Sequence, residues 1–563
     1  MFIRGTHQSV GRRLRLAADR DLGAGNFFWH AWRVARDRDR PLLHHPDVSD
    51  PRWAERTPAA VSLDDVRVHV IRLADWYRRN GVGPGRRVGL YTADGLLGLT
   101  HHIAITALGA AAVHCNPRMS PEIAADYFRR TSIAVLAGDG DLLDRCTNAS
   151  TWQPGPLVRD LRAIEEDARR PSRKLDGFPY RHRPDDLVMI SHSSGTTGRP
   201  KAPVFTHRGF FIGKRERLWT FPSLRSDRML TALPHSHSAG ISYLSMAMML
   251  GIPTLILDGP DGDRVTKAIS LFRPSFVLGF PLTLAEVRPE AIEPAAAAGI
   301  HSWYGMGDAS HERHIRPLVS GTGGPSGSAY VDGLGSSEMG MVLFKQVFTR
   351  DADRYDRLIG TPAAVVRRAA VLDDQGRELP PGEAGMLGVR TPSVTPGYWD
   401  DPALSSESLS NGYFLTGDMA RRDDRGRWFH LDRTPDVVHT VDGPVYGLPL
   451  EEAVLLATGA LDAAVVAVDD PAAPGHSRPV AIVLFRDGDP RSPQQLLTAC
   501  NAAAAERGLA PLSALVVAPD RDGLPVGVTG KVLKRVLRER HGDLLRDPGS
   551  HAAVATIADG ARP

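Results

Sequence analysis

The sequence contains little cysteine, which limits the kinds of stabilising site it can form. Its 563 residues include three cysteines, Cys115, Cys146 and Cys500, and long stretches of chain separate them. This spacing fits neither a disulfide framework nor the ligand pattern of a metal site. A chain of this length is expected to form more than one domain. Because disulfides are not expected, we predict that the protein resides in a reducing cytoplasm.

The chain is also short of net charge and of long apolar runs. Lys and Arg total 68 and Asp and Glu total 65, which leaves a formal net charge of +3. A nucleic-acid partner requires a concentrated basic patch, whereas here acidic residues are interspersed with the arginines. No apolar run approaches the roughly 18–20 residues of a membrane span. The N-terminal arginines precede no apolar segment, so we expect no secretory signal.

Glycine, hydroxyl and lysine residues are concentrated in one short stretch, Ser193–Lys201. It follows Leu187–Ile190, an apolar run typical of a buried strand. Glycines expose backbone N–H groups, hydroxyls donate to oxyanions and a lysine adds positive charge. The combination predicts a phosphate-binding loop, with a polar surface turn as the alternative. Because Pro200 precedes the lysine, the stretch does not fit the Gly-x4-Gly-Lys-Ser/Thr pattern of a P-loop.

The rest of the chain alternates between helix and strand patterns. Apolar periodicity predicts helices over 66–80 and 96–109 and strands over 87–91, 110–114 and 272–280. Such alternation is typical of parallel sheets flanked by helices. We therefore predict an α/β protein.

Further motifs follow the loop in sequence order. They are Pro234-His235-Ser236-His237-Ser238-Ala239-Gly240, Trp303-Tyr304-Gly305-Met306-Gly307-Asp308-Ala309, Asp332-Gly333-Leu334-Gly335-Ser336-Ser337-Glu338, Thr416-Gly417-Asp418, Leu431-Asp432-Arg433-Thr434-Pro435-Asp436 and Gly527-Val528-Thr529-Gly530-Lys531. Each also has an ordinary interpretation when taken alone. His237 could be a core histidine or, with His192 and His207, a metal ligand. A lone Lys531 would more often be a solvated surface residue.

Taken together and in this order, the motifs resemble those of the adenylate-forming superfamily, which includes acyl- and aryl-CoA ligases, luciferases and adenylation domains of peptide synthetases. The resemblance runs from about residue 27 to residue 545. It implies an α/β fold with a large N-terminal domain of two helix-flanked sheets, a β-rich subdomain, and a small mobile α+β C-terminal domain. The expected division is a flexible arm over 1–25, a large AMP-binding domain over 26–434, a small domain over 435–545 and a disordered tail over 546–563.

The resemblance also implies the reaction and the roles of individual residues. An acid attacks the α-phosphate of ATP and releases pyrophosphate, and it needs no general base because it is already ionised at pH 7. Lys531, His237 and Glu338 are the implied catalytic residues, with Glu338 also binding Mg²⁺. The implied ATP-binding residues are Ser193, Ser194, Gly195, Thr196, Thr197, Gly198 and Lys201 for the β- and γ-phosphates, Ser337 for the α-phosphate, Gly307 and Asp308 beneath the adenine, and Asp418 and Arg433 for the ribose and phosphates.

The sequence departs from the family at the hinge and on the substrate side. Pro435 occupies the hinge about which the small domain of relatives rotates, and proline fixes φ near −65°. The segment 438–446 is longer and less basic than the block that lines the thiol tunnel in relatives. Leu334 replaces the aromatic residue that stacks on adenine. The block 235–238 is too polar for a fatty-acyl tunnel, because a buried hydroxyl without a partner costs free energy.

These departures lead to three hypotheses about function. The first is adenylation of a small aromatic or polar carboxylic acid, followed by transfer to CoA or a carrier protein. The second is adenylation of nitrite for diazotisation of an aromatic amine, a reaction of some family members that needs no thiol. The third is an inactive nucleotide-binding relative, which the joint presence of Lys531, Glu338 and Asp418 disfavours. ATP and Mg²⁺ are the expected cofactors.

Overall fold

The computed structural model describes residues 8–46, 56–169, 175–192, 199–221, 227–257, 261–353, 355–528, 530–550 and 553–556. In chain order its strands are β1 Leu43–His45, β2 Ala59–Val61, β3 Arg87–Tyr91, β4 Ala111–His114, β5 Val135–Gly138, β6 Leu157–Asp160, β7 Leu187–Ile190, β8 Val204–Thr206, β9 Met229–Thr231, β10 Thr254–Ile256, β11 Phe276–Gly279, β12 Ser302–Met306, β13 Ala329–Gly335, β14 Val342–Thr349, β15 Leu358–Pro362, β16 Arg368–Leu372, β17 Ala384–Arg390, β18 Leu409–Ser410, β19 Tyr413–Arg422, β20 Trp428–Arg433, β21 Val438–Thr440, β22 Gly443–Val445, β23 Asp462–Asp469, β24 Ser477–Leu484, β25 Ala514–Ala518 and β26 Val554–Thr556. Its helices are α1 Val10–Ala18, α2 Phe27–Val34, α3 Leu63–Arg79, α4 Gly95–Thr106, α5 Pro121–Arg130, α6 Gly140–Thr147, α7 Leu161–Ala168, α8 Gly209–Ile212, α9 Arg215–Thr220, α10 Ser238–Leu250, α11 Gly262–Phe272, α12 Pro281–Ala285, α13 Pro294–Ala298, α14 Glu312–Gly321, α15 Pro402–Glu407, α16 Gly447–Thr458, α17 Pro493–Ala505 and α18 Lys534–His541.

A mostly parallel sheet forms in the N-terminal part of the chain, with strand order β6-β5-β3-β4-β7-β8. Its neighbouring strands run parallel except for β7 and β8. The strands predicted over 87–91 and 187–190 are confirmed as β3 and β7. The helix predicted over 66–80 is confirmed as α3, which begins three residues earlier. It begins there because Ser62 and Asp65 form a reciprocal capping box.

The second sheet joins a parallel half to an antiparallel half, in the order β16-β17-β19-β20-β15-β14-β13-β12-β11-β9-β10-β1-β2. Strands from β10 to β13 run parallel, and those from β13 to β16 run antiparallel. The expected β-rich subdomain therefore extends the second sheet. The strand predicted over 272–280 is wrong in its first half, because Phe272 ends α11 and β11 covers Phe276–Gly279.

The largest apolar core lies between the two sheets. It contains Leu90 of β3, Leu278 of β11, Leu99 of α4 and Leu244 of α10. Nearly every residue of α10 is buried. Because a helix that is apolar on all sides must be covered on all sides, α10 is held rigidly, and its N-terminus is a fixed platform for the site.

The small domain has its own core. Its sheet has the order β23-β24-β25-β26, with α16 and α17 on one face and α18 on the other. The apolar clusters of this sheet draw only on residues from Val445 onward. The boundary between residues 434 and 435 remains a prediction.

The described residues near both chain ends include secondary structure that the sequence did not predict. The flexible arm expected over 1–25 contains α1, whose Arg13 is 1% exposed and donates through Nη2 to the carbonyl of Phe221 at 2.7 Å. The disordered tail expected over 546–563 contains β26, which pairs antiparallel with β25. The sequence did not indicate these two elements, because the partners that each segment contacts are distant in sequence, and the division of the chain ends remains a prediction. Residues 1–7 and 557–563 lie outside the described residues.

Two features are absent from the part of the chain that the structure describes. None of its helices is both long enough and apolar enough to cross a membrane. Nor does it contain a group of three or more His, Cys, Asp or Glu side chains that could hold a metal ion. A metal site built entirely from protein ligands, including the histidine alternative, is therefore not found among these residues.

Candidate active site

A cavity of about 340 Å³ lies where the second sheet meets the small domain. Its lining includes Gly307 and Asp308 after β12, Asp418 on β19, Arg433 on β20 and Lys531 from the small domain. Gly307 and Asp308 follow the carboxyl end of a parallel strand, where open α/β sheets bind ligands. The fold therefore brings five of the predicted site residues to one cavity.

Asp418 and Arg433 are register partners on the antiparallel strands β19 and β20. Arg433 Nε lies 3.1 Å from Asp418 Oδ1, and His430 Nε2 lies 3.6 Å from the same oxygen. Burial opposes ionisation of Asp418, but the charge of Arg433 and the contact with His430 outweigh it and hold the pKa of Asp418 well below its usual range. Asp418 is thus an ionised acceptor, suited to the two hydroxyls of a ribose.

Lys531 reaches the cavity from a loop that docks against the large domain. The preceding residue, Gly530, has a φ of 75°, and a Cβ there would lie 2.5 Å from the ring of Phe280. Asn116 Nδ2 donates to the carbonyl of Val528 at 3.0 Å. A glycine is required at residue 530 both for its backbone conformation and for its close approach to the ring.

Charged groups of the large domain surround the Lys531 ammonium. Burial lowers the pKa of Lys531 and the charge of Arg433 lowers it further, while Asp308, Asp418 and Glu338 oppose the shift. The net pKa lies below its ordinary value of 10.5. A bound polyphosphate would add negative charge at this point, and would favour the charged lysine.

Glu338 and Lys201 both lie beside Tyr398. The Tyr398 hydroxyl donates to Glu338 Oε1 at 3.4 Å, and Lys201 Nζ lies 5.6 Å from the centroid of the Tyr398 ring. Mg²⁺ in nucleotide sites usually takes one or two carboxylates together with substrate phosphates. A single carboxylate beside the lysine of the phosphate loop fits that donor set. The sequence did not indicate a role for Tyr398, because no local pattern shows that it contacts Glu338 and lies near Lys201.

The phosphate loop itself lies mostly outside the described residues. This applies to Ser193–Gly198, whose ATP-binding roles remain predictions. The described residues that follow them are anchored on α5: Arg199 Nε lies 3.1 Å from Asp126 Oδ2, and Arg130 Nη2 donates to the carbonyl of Pro200 at 2.9 Å.

His237 forms the N-cap of α10, and its Nδ1 accepts a hydrogen bond from the Ala239 N–H at 3.2 Å. Burial and the nearby His192 and Lys531 lower the pKa of His237 to about 3. The side chain is therefore neutral at pH 7 and adds no charge to the site. Ser337, another predicted residue, is buried in a turn closed by Gly340 N–H and its own carbonyl at 3.1 Å.

Leu334 lines the main cavity. Among the described residues that line this cavity, none is Phe, Tyr or Trp. The described lining of this cavity therefore offers no Phe, Tyr or Trp ring on which adenine could stack.

A side pocket of about 40 Å³ opens beside His237. Its lining also includes Arg217 on α9 and Tyr243 on α10. The side pocket and the main cavity share the lining residues Gly307, Gly333, Gly335 and Ser336. The two spaces are therefore neighbours, separated by these shared residues. No sequence motif marks Arg217.

A buried cluster of charged side chains joins the small domain to the large one. His311 Nδ1 lies 2.7 Å from Glu452 Oε2, and Lys534 Nζ lies 2.7 Å from Glu451 Oε1 and 3.5 Å from Asp432 Oδ1. Burial opposes protonation of His311, but its contacts with Glu451 and Glu452 raise its pKa to about 9. His311 is thus a cation at neutral pH, and the interface is held by ion pairs that sequence reasoning missed.

The predicted hinge Pro435 lies in a one-turn helix between the domains. The Thr434 hydroxyl donates to the carbonyl of Gly417 at 3.2 Å on the large-domain side. On the other side, Asp436 Oδ1 lies 2.7 Å from Arg538 Nη1 of α18. Both neighbours of the proline are therefore held by contacts.

The chain is similar to known adenylate-forming proteins over most of its length. The family model described as AMP-binding enzyme matches residues 31–399. A 3-aminoavenalumate diazotase from Streptomyces sp. is 34% identical, over 94% of this chain and 97% of the relative. A 3-hydroxybenzoate–CoA ligase from Aromatoleum sp. (strain CIB) is 25% identical, over 85% of this chain and 91% of the relative. The crystal structure of an anthranilate CoA ligase in complex with anthranoyl-AMP superposes with a TM-score of 0.79 at 19% identity, covering 93% of this chain and 98% of that one.

Proposed function

Because the chain belongs to the AMP-binding enzyme family, whose members are ATP-dependent adenylate-forming enzymes, we propose that it adenylates nitrite and transfers the nitrosyl group to an aromatic amine. The activated product would be nitrosyl-AMP, and the final product an aryl diazonium ion. The identities of the acid and of the acceptor are the parts of this function that we propose.

The observation that carries this proposal is the buried charged interface between the domains. Family members that transfer the acyl group to a thiol rotate the small domain after adenylation. Here that rotation would separate His311 from Glu452 and Lys534 from Asp432. Separating these buried groups costs free energy to the extent that water or another partner does not replace each lost contact. The nitrite route needs no thiol and hence no rotation, so it agrees with an interface of this kind.

The similarity to a diazotase over nearly the whole chain supports the same conclusion. A second candidate, adenylation of an aromatic carboxylic acid followed by transfer to CoA, is favoured by the similarity to a 3-hydroxybenzoate–CoA ligase. Of the polar block 235–238, His237 and Ser238 line the side pocket, which suits either small substrate and disfavours a fatty acid.

In the first step, a nitrite oxygen attacks the α-phosphorus of ATP, the bond to the β-phosphate breaks, and pyrophosphate leaves. Both reactants are anions, so the site must supply positive charge. Lys531 would contact the α-phosphate and the attacking oxygen, while Asp418 and Arg433 would hold the ribose and phosphates. Glu338 would hold Mg²⁺, which neutralises phosphate charge when bound.

In the second step, the amine nitrogen attacks the nitrosyl nitrogen and AMP departs. The amine loses one proton, which gives an N-nitrosamine of the form Ar–NH–N=O. Protonation of its oxygen and loss of one water molecule then give Ar–N₂⁺. No oxidant or reductant is consumed, because the nitrogen of nitrite already has the required oxidation state.

The test is ATP–pyrophosphate exchange with nitrite and with a panel of aryl and acyl acids. We expect exchange that depends on nitrite, and a coupled azo dye when an aromatic amine and a coupling agent are added. CoA should give no thioester. Exchange with an aromatic acid together with a CoA thioester, and none with nitrite, would establish the second candidate instead. No exchange with any acid would identify an inactive relative.

A further inference from the structure

Arg217 brings a guanidinium into the wall of the side pocket without an acidic partner. Its Nη1 lies 3.4 Å from the Tyr243 hydroxyl and its Nη2 lies 3.4 Å from the carbonyl of Val342, both long for hydrogen bonds. In the described ranges no carboxylate forms an ion pair with it. A half-buried cation that makes only long neutral contacts retains most of its capacity to bind an anion.

A second basic residue, Lys214, lies one turn earlier, behind the wall of the pocket. Lys214 is completely buried and donates to the carbonyl of Gly340 at 2.8 Å. Burial, together with the charge of Arg217, lowers the pKa of Lys214. Gly340 itself lines the side pocket, so Lys214 fixes a wall of the pocket, and Arg217 is the basic side chain that lines it.

The remaining walls are suited to a flat, apolar ring. They include Met306, Met341, Val342 and the ring of Tyr243. Aromatic and thioether side chains make favourable contacts with aromatic ligands. At about 40 Å³ the side pocket holds only the end of such a ligand. The rest of the ring would extend past the shared residues Gly307 and Gly333 into the main cavity.

From this geometry we propose that Arg217 binds an acidic group of the aromatic amine, so that the enzyme selects amines that carry a carboxylate on the ring side opposite the amino group. The inference rests on the proposed function. Nitrite is not the anion concerned, because its oxygen must react beside Lys531, which lines the main cavity only, whereas Arg217 lines the side pocket only. With the carboxylate at Arg217, the amino group on the other side of the ring points toward the nitrosyl group in the main cavity.

The first experiment measures binding without turnover. Aminobenzoates and the longer aminocinnamates are titrated by calorimetry into the full-length protein with ATP but no nitrite, each beside its primary amide. We expect at least one acid to bind about 10- to 100-fold more tightly than its amide, the difference that a charge-assisted hydrogen-bond pair provides. Arg217→Met should abolish this preference, and Arg217→Lys should retain part of it. Arg159→Met, which removes an exposed arginine on β6, is the matched control and should keep the full preference.

The outcomes separate this inference from the proposed function. Equal binding of acids and amides by the unaltered protein overturns the role of Arg217, as does a preference that persists in Arg217→Met. If Arg217→Met does not fold, the acid–amide comparison in the unaltered protein and in Arg217→Lys decides the matter. Absence of nitrite-dependent pyrophosphate exchange instead refutes the proposed function, and this result does not depend on the binding data.

Discussion

At the scale of single residues, the adenylation step depends most on Lys531. Its ammonium would stabilise charge that develops in the transition state, whereas ATP is also held by Asp418, Arg433 and the phosphate loop. Lys531→Ala should therefore lower the exchange rate by about 10²–10³-fold, as loss of one transition-state donor does, and leave ATP affinity within a few fold. Exchange kinetics and calorimetry with ATP measure the two effects. Lys267→Ala, at an exposed lysine of α11, should change neither.

The lowered pKa of Lys531 also predicts a pH dependence. Since the charged lysine is the active form and its pKa lies below 10.5, kcat/KM for exchange should fall as pH rises, at a pH below that ordinary value. Arginine remains charged throughout, so Lys531→Arg should remove the part of this alkaline limb that comes from residue 531 and leave only the loss that follows undocking of the small domain, even if the variant is slower. An alkaline limb that is identical in Lys531→Arg and in the unaltered protein would show that residue 531 does not contribute to it.

Motifs predict residues whose roles depend on local spacing, and fail for residues that act across the fold. Asp418 and Arg433 lie in two neighbouring motifs, and the antiparallel pairing of their strands brings them together as expected. Arg217 and His311 lie in no motif. Their positions depend on how α9 packs against α10 and how the small domain docks, which periodicity does not indicate.

At the scale of elements, the position of the loop before α18 depends on Gly530, and Gly488 offers a matched control. Gly530 has a positive φ, and the Cβ added by Gly530→Ala would contact the Phe280 ring. Gly488 also has a positive φ, of 80°, but the Cβ added by Gly488→Ala would have nothing within 4 Å. Both variants should lose about 1 kcal/mol of stability from backbone strain. Only Gly530→Ala should displace Lys531, and we expect at least a tenfold loss of exchange activity.

Thermal unfolding and exchange kinetics of the two glycine variants form the comparison. Equal activity losses in both would mean that backbone strain, rather than docking of the Lys531 loop, controls the rate. Retention of full activity in Gly530→Ala would contradict the close contact with Phe280.

The elements that sequence patterns miss at the chain ends have a common physical cause. The helix α1 is ordered by contacts of Arg13 and Leu16 with a segment about two hundred residues away. The strand β26 has a short apolar pattern that becomes a strand only beside β25. Short segments have little intrinsic stability, so tertiary partners decide their structure.

At the scale of the whole molecule, the active site exists only while the small domain is docked. Lys531 comes from the small domain, and the residues it faces, Asp308, Asp418 and Glu338, belong to the large one. The docked arrangement is also the one that holds the interdomain ion pairs. Activity and domain docking should therefore respond together to changes at the interface.

His311 makes docking dependent on pH. It faces Glu451, Glu452 and Arg357, and its neighbour His314 has a pKa of about 3 and stays neutral. Docking raises the pKa of His311 from 6.5 to about 9, so the stabilisation is fully present below pH 6.5 and is lost as pH rises through 9. A distance measured by energy transfer between labels on the two domains should lengthen above pH 9. His311→Gln should shift this distance already at neutral pH and remove its dependence on pH between 7 and 10, whereas His439→Gln, at an exposed histidine of β21, should behave as the unaltered protein. A transition near pH 9 that persists in His311→Gln would assign the pH dependence to a different interface group.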